Sequence, residues 1–350
     1  MPNRVAIPAG GERDEPVTQP ATGLPAFVSF AQSGVNLFEK AASITIGSVQ
    51  VRDFGLQQGL DVWFNIKRSI QKGQVNVADL RLYNMTAPTR QAIASELGPQ
   101  GSGTVVQIDA GYVGNVSTVF LGQMRNAMVS SSGPDTVIEI QAGDFDAGTI
   151  VARSTNTFGT GITPYEVVQQ LIADMGCGAG NLATYATLLK SSTIYKDGFV
   201  LKGSSYAHLQ DLAWSLGLEV TMQFGVLQWT LIGGSTGSQT VYSISSGTGL
   251  IGSPTVGTEG IKNSPKTRGL RKVKGFSGTL LSCETLMLPG LAPGQLIYVA
   301  GEFVQSTIRI IAMQTRGDTH GNEWGHSLEG TPISADVGQI LARTAQGSVL

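Results

Sequence analysis

Alternating apolar and polar positions dominate the first third of the chain after its N-terminal segment. In LDVWFNIKRSI, the apolar positions are Leu60, Val62, Phe64, Ile66 and Ile70, and polar positions between them are Asp61, Asn65, Lys67 and Ser69. Because successive side chains of a strand point to opposite faces, this pattern predicts a strand with one buried and one exposed face. The runs ITIGSVQV, VADLRLYN, GTVVQIDAGY, STVFLGQM and TVIEIQAGD repeat it between Gly, Ser and Pro residues. Several short strands at this spacing predict a closed or sandwiched antiparallel sheet.

One short helix interrupts these strands. In MTAPTRQAIASELG, Thr86 is placed to cap the helix, Ile93 and Leu97 share a face, and Gly98 is placed to end it. The helix is too short to change the fold class, so the first part of the chain is predicted to be essentially β.

The period changes to that of a helix in the middle of the chain. In TPYEVVQQLIADMG, Thr163 and Glu166 have the spacing of a capping box, Pro164 takes the first helical position, and Gly176 follows the last one. The segment SSYAHLQDLAWSLG also has helical spacing, and it leads into LEVTMQFGVLQWTLIGG, which predicts a β-hairpin turning near Gly225. This stretch is therefore predicted to be a small α+β unit.

Strand patterns return near the C-terminus, in QLIYVA, STIRIIAMQTRGD and HSLEG. The predicted fold class is mainly β with an α+β insertion: two tube-like antiparallel β-barrel domains that flank, and are joined to, a small α+β region. The predicted boundaries are a flexible N-terminal arm at 1–36, a first β-barrel domain at 37–148, the α+β domain at 149–245, a second β-barrel domain at 246–330 and a C-terminal tail at 331–350.

The composition predicts strands, tight turns and surfaces that are buried against other subunits. Charged residues make up 14% of the 350 residues, and 46 residues are glycine, whereas an average globular chain is roughly 25% charged. The formal net charge of −2 gives no general attraction for nucleic acid or an acidic membrane. No apolar run approaches the roughly 18 residues of a membrane span, and the N-terminal segment lacks the apolar core of a secretory signal.

Candidate nucleophiles and paired carboxylates are few. Cys177 and Cys283 lie far apart in the sequence with no companion at metal-ligand spacing, which predicts two reduced, half-buried thiols. No Gly-x-Ser-x-Gly elbow lies at a predicted strand-to-helix turn. Asp144 and Asp146 in AGDFDAG could form a hydrolytic pair or a calcium site, but Asp-Gly clusters are mostly turns, and we favour a turn here.

The segment GDTHGNEWGH brings Asp318, His320 and His326 close together in the sequence. A catalytic zinc site needs about three protein ligands on a rigid frame and an open position. We favour a tight turn in which Gly317 and Gly321 supply permissive backbone. No catalytic residue, metal site or cofactor is therefore predicted, and the chain is predicted not to be an enzyme.

The most distinctive charge feature is a basic, Gly-rich segment, IKNSPKTRGLRKVKGFSG, predicted to be a loop or an elongated hairpin. Two interpretations stay open: a solvated loop, or a contact with a neighbouring subunit or an acidic partner surface. The basic cluster consists of Lys262, Lys266, Arg268, Arg271, Lys272 and Lys274.

Four segments in order resemble the baseplate hub proteins of tailed bacteriophages. The first is RLYNMTAPTRQAI, followed by AGY at 110–112 and FLG at 120–122. The second is GFVLKGSSYAHLQDLAWSLGLEV with LQWTL. The third is LIGSPTVGTEGI, followed after an insertion by LMLPGLAPGQLIYV, and the fourth is RGDTHG at 316–321 with Trp324. The insertion is the basic segment, which departs from the family's pattern and leaves the local shape of the second barrel open.

The resemblance implies a structural role. Hub proteins of this family form a ring of three chains, each with two tube-like barrels, so that six similar modules surround a channel. Such a ring adapts the sixfold tail tube to the threefold central spike. The implied setting is the virion, in a tail baseplate assembled in the host cytoplasm. The implied partners are two further copies, the tail tube protein, the central spike protein, the baseplate wedge proteins and the tape measure protein.

DNA would pass through the channel of such a ring without specific binding, and no membrane insertion is implied. Two other classes stay open. One is the hub of a related contractile injection system or another structural protein of the tail tip. The other is an enzyme, such as a peptidoglycan hydrolase or a metal-dependent hydrolase.

Overall fold

A computed structural model gives the fold of this chain. The residues that the structure describes are 26–29, 39–54, 61–96, 103–132, 135–191, 195–236, 240–258, 279–302 and 304–333. Most of the described chain is strand, and four α-helices accompany the strands. This confirms the predicted class, a mainly β fold with an α+β insertion. The basic cluster and most of the predicted arm and tail lie outside the described residues.

The first β block follows the alternating runs of the sequence. After β1 (Ala26–Ser29), its strands are β2 (Lys40–Ile46), β3 (Val49–Phe54), β4 (Val62–Ser69), β5 (Val77–Tyr83), β6 (Val105–Tyr112), β7 (Asn115–Ser132) and β8 (Asp135–Gly143), with α1 (Ala87–Glu96) between β5 and β6. The strands lie in the antiparallel order β3-β2-β6-β7-β8-β5-β4. On β4, the predicted inward residues Val62, Phe64 and Ile66 are all buried, and they join one core with α1 residue Ile93.

The middle unit contains the predicted helices and hairpin. Its elements are β9 (Arg153–Phe158), α2 (Pro164–Met175), α3 (Leu182–Ser191), β10 (Phe199–Ser204), α4 (Ser205–Ser215), β11 (Leu218–Gln223) and β12 (Val226–Leu231), preceded by a π-helical turn (Ala147–Val151). The capping box between Thr163 and Glu166 is present, and Gly176 ends α2 in the left-handed conformation. The core of this unit gathers around Trp229, which is fully buried. Helix α3 was not predicted from the sequence.

The second β block contains β13 (Thr240–Ser245), β14 (Leu250–Thr258), β15 (Thr279–Leu286), β16 (Leu296–Ala300), β17 (Gln305–Asp318) and β18 (Trp324–Pro332). Its strands lie in the order β14-β15-β18-β17-β16-β13-β1. Two pairings, β1 with β13 and β13 with β16, are parallel, which differs from the antiparallel arrangement predicted throughout. Parallel pairing is possible because residues 246–295, which contain β14 and β15, connect β13 to β16 and leave room for a crossover.

The two β blocks share a single sheet of 14 strands. β17 is long enough to pair with β16 through its first residues and with β4 through its last ones, from Ala312 opposite Ser69 to Asp318 opposite Trp63. The joint between β4 and β17 is therefore a continuous antiparallel ladder. Among the described helices, none combines the length and the apolar character needed to cross a bilayer.

Candidate functional site

The turn that follows β17 docks onto the first β block. The Asp318 carboxylate accepts hydrogen bonds from the backbone amides of His320 (3.0 Å) and Gly321 (2.5 Å). Lys40, at the start of β2, donates to the carbonyl oxygens of Asp318 (2.8 Å) and Gly321 (2.5 Å). The predicted tight turn is confirmed for Asp318, and it closes the joint between the two blocks.

Trp324, on the other side of the turn, stabilises the same joint through a hydrogen bond and a ring contact. Its indole Nε1 donates to the carbonyl oxygen of Gly111 on β6 (3.0 Å), and its ring lies edge-on to Phe64 of β4, with 5.7 Å between ring centroids. A Cβ at Gly111 would lie 2.2 Å from the carbonyl oxygen of Asn115, so only glycine fits there. The segments 110–112 and 316–324, which both resemble the hub family, therefore meet in space.

The predicted role of Gly317 and Gly321 was wrong. Neither has a positive φ angle, so neither needs the permissive backbone of glycine. Both need the absence of a side chain: a Cβ at Gly317 would lie 2.1 Å from the ring of Phe64, and one at Gly321 would lie 2.2 Å from the Asp318 carboxylate. Close packing across the joint explains Gly317, and close packing within the turn explains Gly321.

His326 belongs to the core of the sheet and not to the turn. It is 2% exposed, its Nε2 lies 3.0 Å from the carbonyl oxygen of Leu288, and its Nδ1 lies 2.9 Å from the hydroxyl of Thr315. Because a carbonyl can only accept, Nε2 carries the proton and Nδ1 accepts from the hydroxyl. Burial lowers the pKa of His326 to about 4, so the ring is neutral near pH 7.

The metal interpretation of Asp318, His320 and His326 gains no support from these positions. Both ring nitrogens of His326 already have protein partners, whereas His320 lies on the exposed turn. Within the described part of the chain, no group of three or more His, Cys, Asp or Glu side chains is arranged to hold a metal ion.

Arg68 is a buried cation that was not predicted from the sequence. It lies on the inward face of β4, 3% exposed, and its guanidinium donates to the side-chain oxygen of Gln223 (2.8 Å) and stacks over the ring of Phe224, 4.4 Å from the centroid. Burial lowers the pKa of Arg68 to about 10, and nearby Asp144 acts in the opposite direction, so the side chain stays charged near neutral pH. The signal was its position, since it continues the register of Val62 and Ile66.

Arg309 makes the corresponding contact from β17. Its side chain is 2% exposed and forms an ion pair with Glu219, at the start of β11, whose side chain is 13% exposed. The same guanidinium lies 3.5 Å from the hydroxyl of Thr230 on β12. The two strands that form the joint, β4 and β17, thus each contribute one buried arginine that contacts the β11–β12 hairpin. This hairpin lies across the joint.

Asp144 holds the tip of this hairpin. Its carboxylate accepts from the backbone amides of Phe224 (2.9 Å) and Gly225 (2.8 Å) and from the amide of Asn76 (3.0 Å). Burial raises the pKa of Asp144, and these hydrogen bonds oppose the shift. Asp146 instead forms an ion pair with Arg125. The predicted turn is confirmed, and each carboxylate has a structural partner.

The two thiols are unpaired, as predicted. Cys177 is half-buried, as predicted, whereas Cys283 is buried, so the prediction of a half-buried thiol was wrong for Cys283. Burial raises the pKa of each to about 11, which disfavours the reactive thiolate.

Comparison with known proteins identifies the fold. The sequence matches no protein-family profile and no curated protein. Among solved structures, the tail protein from Neisseria meningitidis MC58 is similar, with a TM-score of 0.57 and 11% identity over 87% of this chain and 99% of that one. The 43 kDa tail protein of prophage MuSo2 from Shewanella oneidensis has a TM-score of 0.58 and 11% identity over 86% of this chain and 99% of that one. The chain therefore has a fold that occurs in tail proteins.

Proposed function

We propose that this chain is a structural component of a phage-type tail, and specifically the hub of its baseplate. Three copies form a ring that adapts the sixfold tail tube to the threefold central spike and lines the channel through which DNA leaves. The observation that carries this proposal is the fold, since two tail proteins match it over almost their whole lengths. The order of the four resembling segments supports the hub among tail parts.

The internal construction suits a mechanical role. The joint between the β blocks is a continuous ladder, and the middle unit is fixed to it by buried charged and polar contacts through Arg68, Arg309 and Asp144. Breaking a buried ion pair is costly, so the three units are held in one arrangement. A ring that transmits force between tube and spike needs such rigidity.

The positions of the candidate catalytic groups favour a structural role over hydrolysis. Asp144, Asp146 and His326 are each engaged by protein partners that explain their burial or orientation. A zymogram on peptidoglycan tests the enzyme alternative directly. Lytic activity that is lost in His320→Ala would overturn the proposed class.

The oligomeric state tests the hub proposal. We expect native mass spectrometry of the purified chain to give a trimer of about 110 kDa, from subunits of 36.7 kDa, and negative-stain images to show a three-lobed ring with a central hole. A hexamer would indicate a tube-type part, and a monomer at micromolar concentration would contradict the ring. A trimer is expected equally for the hub of a contractile injection system, from which incorporation into phage particles separates it.

The basic cluster tests the interfacial part of the proposal. Replacing Lys262, Lys266, Arg268, Arg271, Lys272 and Lys274 by serine is expected to weaken assembly into tails, measured as the fraction of the protein that sediments with tail particles. Incorporation equal to that of the unchanged chain would identify the segment as a solvated loop. The arm and the tail are proposed to contact wedge components or the tape measure protein.

A further inference from the structure

Besides β1 and β3, which end the sheet and each have one partner, two strands have an edge without a strand partner among the described residues. The pairing of β7 with β6 ends at Gln123, whereas its pairing with β8 continues to Ser132, so the second half of β7 has one open side. β14 pairs only with β15. These two strands are the ends of a run of eight, β7-β8-β5-β4-β17-β18-β15-β14.

Both open edges lack the charges with which soluble proteins protect a sheet edge. β14, LIGSPTVGT, contains no charged residue. In the second half of β7, MRNAMVSSS, the only charged residue is Arg125, which forms an ion pair with Asp146. Pro254 is the one protective residue, and it lies in the irregular stretch of β14 where the ladder with β15 is interrupted.

Each edge instead exposes apolar side chains. On β7, Met128 is 55% and Val129 is 49% exposed, and on β14, Ile251 is 44% and Val256 is 52% exposed. These are four of the ten exposed large hydrophobic side chains in the described part of the chain. Their concentration at the two ends of one run of strands indicates that both edges are covered in the assembled state.

The two edges also match in the faces that they present. Met128 lies opposite Glu139, and Ile251 lies opposite Glu284, so both belong to the polar face of the sheet. The other two continue the core face, because Val129 lies opposite the buried Ile138 and Val256 opposite the buried Leu281. Residues directly opposite each other share a face, so strand pairing between the two edges would extend each face without a break.

Strand direction fits as well. All neighbours in the run of eight are antiparallel, so its two end strands, β7 and β14, run in opposite directions. Copies related by rotation in a ring keep the direction of each strand. β14 of one copy would therefore meet β7 of the next in antiparallel orientation, as at every other position in the run.

We propose that neighbouring copies join through direct strand pairing, in which β14 of one copy hydrogen-bonds to the second half of β7 of the next. This inference rests on the proposed ring and names its seam. The partner is a second copy of this chain, because one chain supplies both complementary edges. Each contact is head-to-tail, so three such seams make the eight-stranded runs of three chains into one closed sheet.

Disulfide trapping tests the seam in the full chain. Three double variants sample different registers, each combining Ile251→Cys with Met128→Cys, Asn126→Cys or Ser130→Cys. Each double variant is oxidised mildly and analysed by gel electrophoresis without reductant. We expect at least one combination to convert most of the protein into covalent trimer. Each single variant, which retains Cys177 and Cys283, is expected to stay monomeric on the gel.

The other outcomes are distinct. A native trimer without crosslinking in any combination would overturn the seam and leave the hub proposal standing, whereas a native monomer would overturn both. Covalent dimers from Met128→Cys alone would show a two-fold contact between β7 strands and would also overturn the seam.

A matched pair of charge variants gives an independent readout. Val129→Lys with Val256→Lys is expected to shift the native mass from trimer to monomer and to weaken association at least tenfold, with an unchanged circular dichroism spectrum. Val200→Lys on β10, where the side chain is 65% exposed, is the control and is expected to remain trimeric. Trimer formation by both variants would refute the proposed seam.

Discussion

The buried imidazole of His326 makes a sharp prediction about acid stability. An unfolded chain binds a proton at this histidine near pH 6.5, whereas in the folded chain burial delays protonation to about pH 4. The unfolded state therefore takes up more protons as the pH falls from 7.5, and the free energy of unfolding decreases. The full difference of about 2.5 pH units corresponds to about 3 kcal/mol, and about 2 kcal/mol of it is lost already at pH 5.

Urea denaturation at pH 7.5 and pH 5.0 measures this effect. In His326→Gln, the amide can donate to the Leu288 carbonyl and accept from Thr315, so the fold is kept but the titrating group is gone. We expect the loss of stability between the two pH values to be about 2 kcal/mol smaller in this variant than in the unchanged chain. Equal losses in the unchanged chain and in His326→Gln would refute the assigned burial and protonation state.

Two further predictions concern the joint. Glu219→Gln leaves the buried Arg309 without its counter-ion and is expected to lower the free energy of unfolding by about 3–5 kcal/mol, measured by urea denaturation. Adding Arg309→Met should recover more than half of this loss. If the double variant instead lost the sum of the two single losses, the ion pair would be contradicted. Gly317→Ala forces a methyl group against the buried ring of Phe64 and is expected to cost about 1–3 kcal/mol. Gly159→Ala, where a Cβ meets no atom within 4 Å, is the control, and a thermal scan that gave both variants equal stability would contradict the close packing.

Local structure was predictable wherever a short segment contains its own cause. The alternation on β4 fixed its inward face because strand side chains alternate, and the capping box at Thr163 fixed the start of α2 because its two hydrogen bonds are made within four residues. Helix α3 was missed although its segment contains the signal. Leu182, Tyr185, Ala186 and Leu189 have helical spacing, and Leu182, Tyr185 and Leu189 face the core of the middle unit.

The contacts between units were not predictable from local pattern. β4 and β17 pair across about 250 positions of sequence, and the local pattern of neither segment specifies which strand it pairs with. Arg68 was overlooked because a cation in a buried register is read as an interruption of the apolar pattern, whereas its partners on the β11–β12 hairpin appear only in three dimensions. The four resembling segments did indicate the fold, because two of them carry the glycines and the Trp324 that the joint requires.

The domain boundaries stay a prediction, and the two predicted β domains share one continuous sheet. Three separate cores lie in the first β block, the middle unit and the second β block. Yet Trp324 and Met287, from the second block, belong to the core of the first, and the hairpin of the middle unit lies over the strands that join the two. A β sheet whose central strands come from both ends of the chain cannot be divided without creating two new open edges. Two of the open edges among the described strands, the second half of β7 and β14, lie at the outer ends of one run, which is where the proposed ring needs them.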